Sequence, residues 1–157
     1  RIAQKTPMSR HRGFSLIELV SVIVLLSVLT VSIAPRFTSR DGFAEYAARD
    51  QLVSAFRTAQ QRAMVDHSGN CYRLNVDASG FGPQREGAYF GPVGKIAFSG
   101  DYSNVSVTPA LAIYFDGLGN TFLDGCGVNP LVGSTVLAIQ PAGIQVQIFS
   151  SGYIKVI

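Results

Sequence analysis

Residues 13–33, GFSLIELVSVIVLLSVLTVSI, decide the fold of this chain, and Glu18 is the single ionisable residue among them. A run of roughly 20 apolar residues forms a helix about 30 Å long, enough to cross a bilayer. One interpretation is a plain uncleaved membrane helix. Another is a secretory signal peptide, although the nearest small-x-small site, Ser32-Ile33-Ala34, does not precede a polar mature start. We therefore expect an apolar helix in front of a soluble part.

The basic residues of the chain are concentrated in front of this run. The first 13 residues carry four positive charges and no acid, so a total charge of +3 leaves −1 for residues 14–157. By the positive-inside rule the N-terminus stays cytoplasmic and the part after the run lies outside. A charge of −1 gives no electrostatic basis for non-specific nucleic-acid binding. The four charges are those of Arg1, Lys5, Arg10 and Arg12, and Met8 is a candidate start residue because the sequence begins with Arg1.

Glu18 is the residue that neither a plain membrane helix nor a signal peptide explains. A carboxylate in an apolar membrane helix costs about 2.5 to 3.5 kcal/mol on insertion scales, and such groups are usually paired and functional. The sequence has no Lys or Arg within one helical turn of Glu18. We therefore expect its partner to come from outside this segment.

The residues Gly13-Phe14-Ser15-Leu16-Ile17-Glu18-Leu19-Val20 resemble the cleavage and methylation motif of type IV prepilins and type II secretion pseudopilins. The resemblance implies that a prepilin peptidase/methyltransferase cuts after Gly13 and methylates the new terminal amine of Phe14. It also implies that Glu18 pairs with the Phe14 amine of a neighbouring subunit and so sets the register of a filament. The implied partners are other pilin subunits, this peptidase and an inner-membrane assembly platform.

Pro35 stands at the end of the apolar run, where members of this family often carry a helix-kinking proline. Proline removes one backbone donor and pushes the preceding residue away from helical geometry. Two interpretations remain open, a kink within a longer helix and a plain helix stop.

The residues after the anchor predict one amphipathic helix, about 43–67, followed by strands. Apolar residues recur at intervals of four, three and four, which is the period of one helix face. The predicted stripe is Leu52, Phe56, Ala59 and Ala63, widened by Val53 and Met64.

From residue 72 the period changes to two, which indicates β-strands over about 71–157. Residues 72–77 alternate first, and the last three segments predict an antiparallel meander because short turns separate them. Residues 80–94 are interpreted as an irregular surface loop in which Phe81, Tyr89 and Phe90 are available for packing or partner contact. The other predicted strands are 95–98, 105–107, 111–115, 135–140, 144–149 and 153–157.

This order of elements predicts an α+β fold, a long N-terminal helix packed on an antiparallel sheet, and the family resemblance implies the same arrangement. The helix has a membrane-anchoring half and an amphipathic half. The predicted organisation is a basic leader removed by the peptidase (1–13), a transmembrane and assembly helix (14–34) and an extracytoplasmic globular domain (35–157).

Cys71 and Cys126 are the only cysteines. If the chain is oriented as its basic residues indicate, both lie in an oxidising exterior, where a disulfide is expected. Closing a loop of this length contributes roughly 4 kcal/mol in the chain-entropy model. Two unpaired thiols are the alternative.

The sequence offers no recognisable catalytic, metal or cofactor site. His67 is the only histidine after the leader, so a Ser or Cys nucleophile lacks an obvious base. Neither CxxC nor HExxH occurs, and Asp116-Gly117-Leu118-Gly119-Asn120 predicts a tight turn instead of a calcium loop. We therefore expect a structural protein that is not an enzyme, with no cofactor and no metal.

Three filament functions fit this sequence. Residues 34–37, 46–57 and 59–64 look like minor pilins of the mannose-sensitive haemagglutinin (MSHA) system, which implies a minor pilin of an adhesive type IV pilus. The second possibility is a minor pseudopilin of type II secretion, and the third is a pilus-linked DNA-uptake receptor. The third is disfavoured because Lys155 is the only basic residue near the C-terminus. In each case the subunit starts in the inner membrane as a single-pass protein with a cytoplasmic N-terminus and then joins a periplasmic or cell-surface filament.

Overall fold

The structure is a computed structural model, and it describes residues 15–37, 41–92 and 94–157. The chain divides into two compact units, Arg1–Ser39 and Arg40–Ile157. The predicted α+β class is confirmed, since helices come first and antiparallel strands follow. Helix α1 (Leu16–Phe37) lies in the first unit and helix α2 (Asp41–Val65) in the second.

All strands belong to the second unit and form two antiparallel sheets. The first sheet has the order β3-β2-β1-β6-β7-β8, with β4 also paired to β2, and the second has the order β11-β10-β9-β5. The strands are β1 (Tyr72–Asp77), β2 (Gly80–Arg85), β3 (Ala88–Tyr89), β4 (Ile96–Ala97), β5 (Ser106–Thr108), β6 (Leu111–Phe115), β7 (Thr121–Asp124), β8 (Asn129–Pro130), β9 (Ser134–Gln140), β10 (Ile144–Phe149) and β11 (Ile154–Val156).

Helix α2 provides one wall of the core. The predicted stripe of Leu52, Phe56, Ala59 and Ala63 is buried, which confirms it. Met64 does not widen the stripe as predicted, because it lies beside the buried face and is 40% exposed. Four alanines on the buried face, Ala48, Ala55, Ala59 and Ala63, present little side-chain bulk to the opposing strands.

The two sheets provide the other walls, and aromatic rings fill the centre. Phe56 of α2 meets Phe115 of β6 edge to face, with ring centroids 4.9 Å apart. In β1, alternate residues are buried, as the period of two predicts. The meander of the last three strands is also confirmed, since β10 pairs with both β9 and β11.

The interpretation of residues 80–94 as an irregular surface loop is wrong. Strand β2 pairs with β1 along its whole length, and Phe81 is fully buried. Glycine is required at two positions of this strand. A Cβ on Gly80 would overlap the Ile96 carbonyl oxygen, and a Cβ on Gly82 would overlap the Gly94 carbonyl oxygen. Because these close backbone approaches require glycine, the composition of β2 is typical of a turn. The sequence pattern therefore did not indicate a strand here.

The turn at Asp116–Asn120 joins β6 to β7, and the prediction of a tight turn is confirmed. The Gly119 amide donates to the Asp116 carbonyl oxygen at 3.0 Å. The Asp116 carboxylate accepts the amides of Leu118 and Asn120, at 2.9 and 2.8 Å. The carbonyl and carboxylate oxygens of Asp116 therefore stabilise the turn.

Candidate functional site

The N-terminal end of α1 places Glu18 in the first turn of the helix. Ser15 precedes the helix, and its hydroxyl oxygen accepts the Glu18 amide at 3.3 Å. This is the N-cap half of an S-x-x-E capping box, a signal that the sequence carries and that our sequence analysis missed. A carboxylate in the first turn also interacts favourably with the helix dipole. The capped turn therefore holds Glu18 at the positive end of the helix.

The surface of α1 behind Glu18 is apolar and uncovered. All described side chains from Leu16 to Leu29 are exposed, with Leu16 at 81% and Leu29 at 55%. The hydroxyl of Ser21 is satisfied within the helix, because it donates to the Glu18 carbonyl at 2.8 Å. An exposed apolar surface of this extent marks a site of association with protein or membrane. Among the described residues, no helix is long and apolar enough to span a membrane.

The remaining sequence-predicted residues of this segment fall partly outside the described residues. Gly13 and Phe14, the predicted cleavage and methylation positions, lie outside them. Helix α1 continues through Pro35 and ends at Phe37, so both interpretations of Pro35 stay open. A kink at Pro35 and a helix stop close to it both stay predictions.

The predicted disulfide between Cys71 and Cys126 is present. It joins the residue before β1 to the segment between β7 and β8, with Cα atoms 5.8 Å apart. The Cys71 amide also donates to the Glu86 carboxylate. The bridge thus ties the beginning of β1 to the segment between β7 and β8.

A cluster around Asp66 organises the link from α2 to β1. The Asp66 carboxylate accepts hydrogen bonds from the Ser68 hydroxyl, the Tyr72 hydroxyl and the Asn70 amide. The hydrogen bond from Ser68, followed by those from Tyr72 and Asn70, holds the pKa of Asp66 well below its usual range. The hydrogen bond between the Tyr72 hydroxyl and Asp66, together with burial, raises the pKa of Tyr72. These shifts favour an ionised Asp66 that acts as a structural anchor.

A similar carboxylate stands at the turn after β1. Hydrogen bonds from the hydroxyl and amide of Ser79 lower the pKa of Asp77, although partial burial acts in the opposite direction. Lys95 Nζ lies 3.7 Å from the same carboxylate.

His67 is exposed, and its Nδ1 lies 2.8 Å from the Val65 carbonyl oxygen. Over residues 15–37, 41–92 and 94–157, no three His, Cys, Asp or Glu side chains are grouped as metal ligands.

Comparison with known proteins identifies one match. The profile of the prokaryotic N-terminal methylation motif matches residues 8–34, the segment that contains Glu18 and most of α1. No curated protein and no solved structure matches the chain.

This match supports a type IV pilin-like protein, either a pilin or a pseudopilin. The motif implies processing by prepilin peptidase and assembly with other pilins, from a membrane-anchored precursor to a filament. Proteins with this motif are structural subunits and not enzymes.

Proposed function

We propose that this chain is a minor pilin of an adhesive, MSHA-like type IV pilus, cleaved after Gly13 and methylated on Phe14. The observation that carries the proposal is the methylation motif at residues 8–34 on a helix whose apolar surface is uncovered. Before cleavage the helix anchors the subunit in the inner membrane, with its N-terminus in the cytoplasm. After cleavage the helix packs with those of other subunits in the apolar centre of the filament.

Glu18 sets the register between subunits in this proposal. Removing the leader creates a positive amine on Phe14, and Glu18 is the only acid between Phe14 and Ile33. In an apolar environment a carboxylate and an ammonium group attract strongly, while either one unpaired is costly. Pairing Glu18 with the amine of a neighbouring subunit removes the cost of both unpaired charges. The pair forms only at one axial offset between the two helices, so it sets their register.

The chemistry of the second unit is consistent with exposure outside the cell. A disulfide joins Cys71 and Cys126 within the first sheet and its loops, and an extracytoplasmic compartment supplies the oxidising conditions that such a bond needs. The second unit then forms the outer part of the filament, where it contacts other subunits or an external ligand.

The experiment that tests the function counts surface pili by electron microscopy. A strain lacking this protein is compared with the parent strain and with the same strain complemented by the full chain. We expect pili to be lost or strongly reduced on deletion and restored on complementation. Unchanged pili would contradict a role in pilus biogenesis, and a secretion defect in that strain would indicate the type II pseudopilin instead.

A further inference from the structure

Strand β11 forms one edge of the second sheet, whose order is β11-β10-β9-β5. Among the described strands it pairs with β10 alone. A strand at the edge of a sheet leaves one row of its amide and carbonyl groups without a strand partner. We call this side of β11 the free edge.

The hydrogen bonds between β11 and β10 show which backbone groups point to the free edge. The Ile157 amide donates to the Gln145 carbonyl oxygen at 2.8 Å. In an antiparallel pair, residues that bond to one neighbour alternate with residues that point away from it, so Lys155 also bonds to β10. Ile154 and Val156 alternate with these residues and therefore direct their amide and carbonyl groups to the free edge.

A groove lies between β11 and α2. It has a volume of about 460 Å³, and its lining includes Val156, Val53, Ser54 and Arg57. Val156 stands opposite the buried Val146 of β10 and yet is 43% exposed. Side chains of one strand alternate between the two faces of a sheet. A further strand at the free edge would therefore place every second side chain over this groove.

The charges around the free edge are mainly positive. Lys155 is exposed on the face of the sheet opposite the groove, and Arg57 is exposed at the groove itself. Within the described part of the chain, neither has a carboxylate at ion-pair distance, whereas Arg49 is paired with Asp50 at 2.7 Å. The free edge is thus basic, although residues 14–157 together carry a charge of −1.

Lys155 acts against pairing between two copies of this chain. If β11 paired with β11 of a second copy through both outward residues, Ile154 would stand opposite Val156, and Lys155 opposite the same residue of the other copy. Like charges directly opposite each other are destabilising, and lysine on an edge strand commonly prevents such self-association. The same charge favours an acidic side chain on a different strand.

We propose that the free edge of β11 binds an extended segment of another protein, which adds to the four-stranded second sheet as an antiparallel strand. The central residue of the segment is acidic and stands opposite Lys155. Its two neighbours are apolar, stand opposite Ile154 and Val156, and lie over the groove. In this mode of recognition, main-chain hydrogen bonds supply affinity and alternate side chains supply specificity. The contact needs only the second unit, so its failure would leave the proposed pilin function untouched.

The test measures binding of a fluorescent peptide with blocked termini to the full chain in detergent, by fluorescence anisotropy. The peptide has a Val-Glu-Val centre flanked by threonines, which favour an extended conformation. The comparison peptide has a Val-Lys-Val centre. We expect the Val-Lys-Val peptide to bind roughly tenfold more weakly, because an attractive cross-strand pair becomes a repulsive one.

A charge reversal on the protein tests the predicted register. Lys155→Glu should reverse the preference, so that the Val-Lys-Val peptide binds more tightly than the Val-Glu-Val peptide. Arg62→Glu is the matched control, since it makes the same change of charge at an exposed position of α2 outside the groove. It should keep the preference of the wild type. The melting temperatures of both variants check that the fold is retained.

A change to the peptide backbone tests whether a strand is added. Methylating the amide nitrogens of both valines removes the donors to the outward carbonyls of Ile154 and Val156 but leaves every side chain in place, so binding should be lost. Amide exchange followed by NMR gives a second measurement. The unmodified peptide should slow exchange at Ile154 and Val156, while the Lys155 amide, already bonded to β10, should change little.

Three results would overturn the proposal. The first is that the Val-Glu-Val peptide does not bind, and the second is that Lys155→Glu keeps the preference of the wild type. The third is that the methylated peptide binds as tightly as the unmodified one, because the contact would then depend on side chains alone. A dimer of the chain that competes with the peptide, detected by light scattering, would also contradict it, because a second copy would then occupy the free edge.

Discussion

The side-chain amide of Gln60, near the C-terminal end of α2, donates a hydrogen bond to the carbonyl oxygen of Gly152, 2.9 Å away. The same nitrogen donates to the carbonyl oxygen of Gly119 at 3.0 Å. Gly119 belongs to the turn between β6 and β7, and Gly152 to the turn between β10 and β11. One polar side chain of the helix therefore binds a turn from each of the two sheets.

Replacing Gln60 with Ala should lower the free energy of unfolding by about 1 to 3 kcal/mol, because two carbonyl groups lose their donor in a part-buried site. Urea denaturation of the full chain in detergent measures the change. The matched control is Gln61→Ala, since Gln61 is exposed on the same helix, and it should stay within about 0.5 kcal/mol of the wild type. Equal effects of the two substitutions would show that the Gln60 bonds contribute nothing.

Gly152 is the second half of this contact, and Gly152→Ala should be strongly destabilising. Gly152 has φ +75°, and a Cβ there would overlap the Gly119 carbonyl and the Gln60 amide. Gly143→Ala is the control, because Gly143 has φ +70° and open space around it. We expect roughly 1 kcal/mol for Gly143→Ala and about 3 kcal/mol or more for Gly152→Ala, measured as urea midpoints. Similar losses at both positions would mean that the turn moves aside.

The sequence predicts elements whose pattern is local and misses those that depend on distant backbone. Strand β1 alternates apolar and polar residues along its length, so its period is visible in the sequence. Strand β2 contains Gly80, Gly82 and Pro83, so its composition resembles that of a loop. The two glycines are required because the backbone of residues 94–97 approaches them closely, and the local sequence does not show that approach. Gln60 likewise looks like any polar residue of a helix until the two turns are in place.

The candidate sites divide in the same way. The motif around Glu18 is contiguous, so it could be read from the sequence, and residues 8–34 match the methylation motif. The outer face of the first sheet brings together side chains from five strands, and only the strand register reveals this set: Tyr89, Gln84, Arg73, Tyr114 and Phe122. Tyr89 was expected to be available for packing or partner contact, but nothing in the sequence shows that Gln84 separates it from Arg73 in the sheet.

The Asp66 cluster predicts a specific acid sensitivity. Asp66 has a folded-state pKa below its ordinary value of 3.8 because hydrogen bonds favour the ionised form. Its contribution to stability is therefore complete above pH 3.8 and is lost as the pH falls through that value toward the lower folded pKa. Asp66→Asn should be less stable than the wild type at pH 7, and the difference should shrink by about pH 3.

Urea midpoints at several pH values check this prediction. Asp101→Asn is the control, since Asp101 is exposed on the short 3₁₀ helix Gly100–Tyr102 and has no bond to the cluster. A gap between the wild type and Asp66→Asn that does not change with pH would contradict the role of the ionised carboxylate.

Processing of the leader gives a prediction that depends on Gly13. A peptidase that cuts after Gly13 needs close access to the backbone, and a side chain there would obstruct it. Gly13→Leu should therefore leave the chain at precursor size, whereas Arg12→Lys, which keeps the charge of the leader, should be cut normally. Immunoblots of cell extracts measure the two sizes. A mature-sized product from Gly13→Leu would refute cleavage at this position.

Glu18 gives the prediction that bears most directly on assembly. Glu18→Ala leaves the rest of the apolar helix unchanged but removes the carboxylate that would pair with the Phe14 amine of a neighbour. An unpaired ammonium in an apolar filament centre is costly, so incorporation should fall roughly tenfold or more, while the total amount of subunit stays near that of the wild type. The measurement compares subunit in sheared filaments with subunit in membranes. Ser21→Ala is the matched control, because it removes a polar group one turn away without changing the charge, and it should assemble normally. Normal assembly of Glu18→Ala would mean that register is set by apolar packing alone, since the helix would then align without a charge pair.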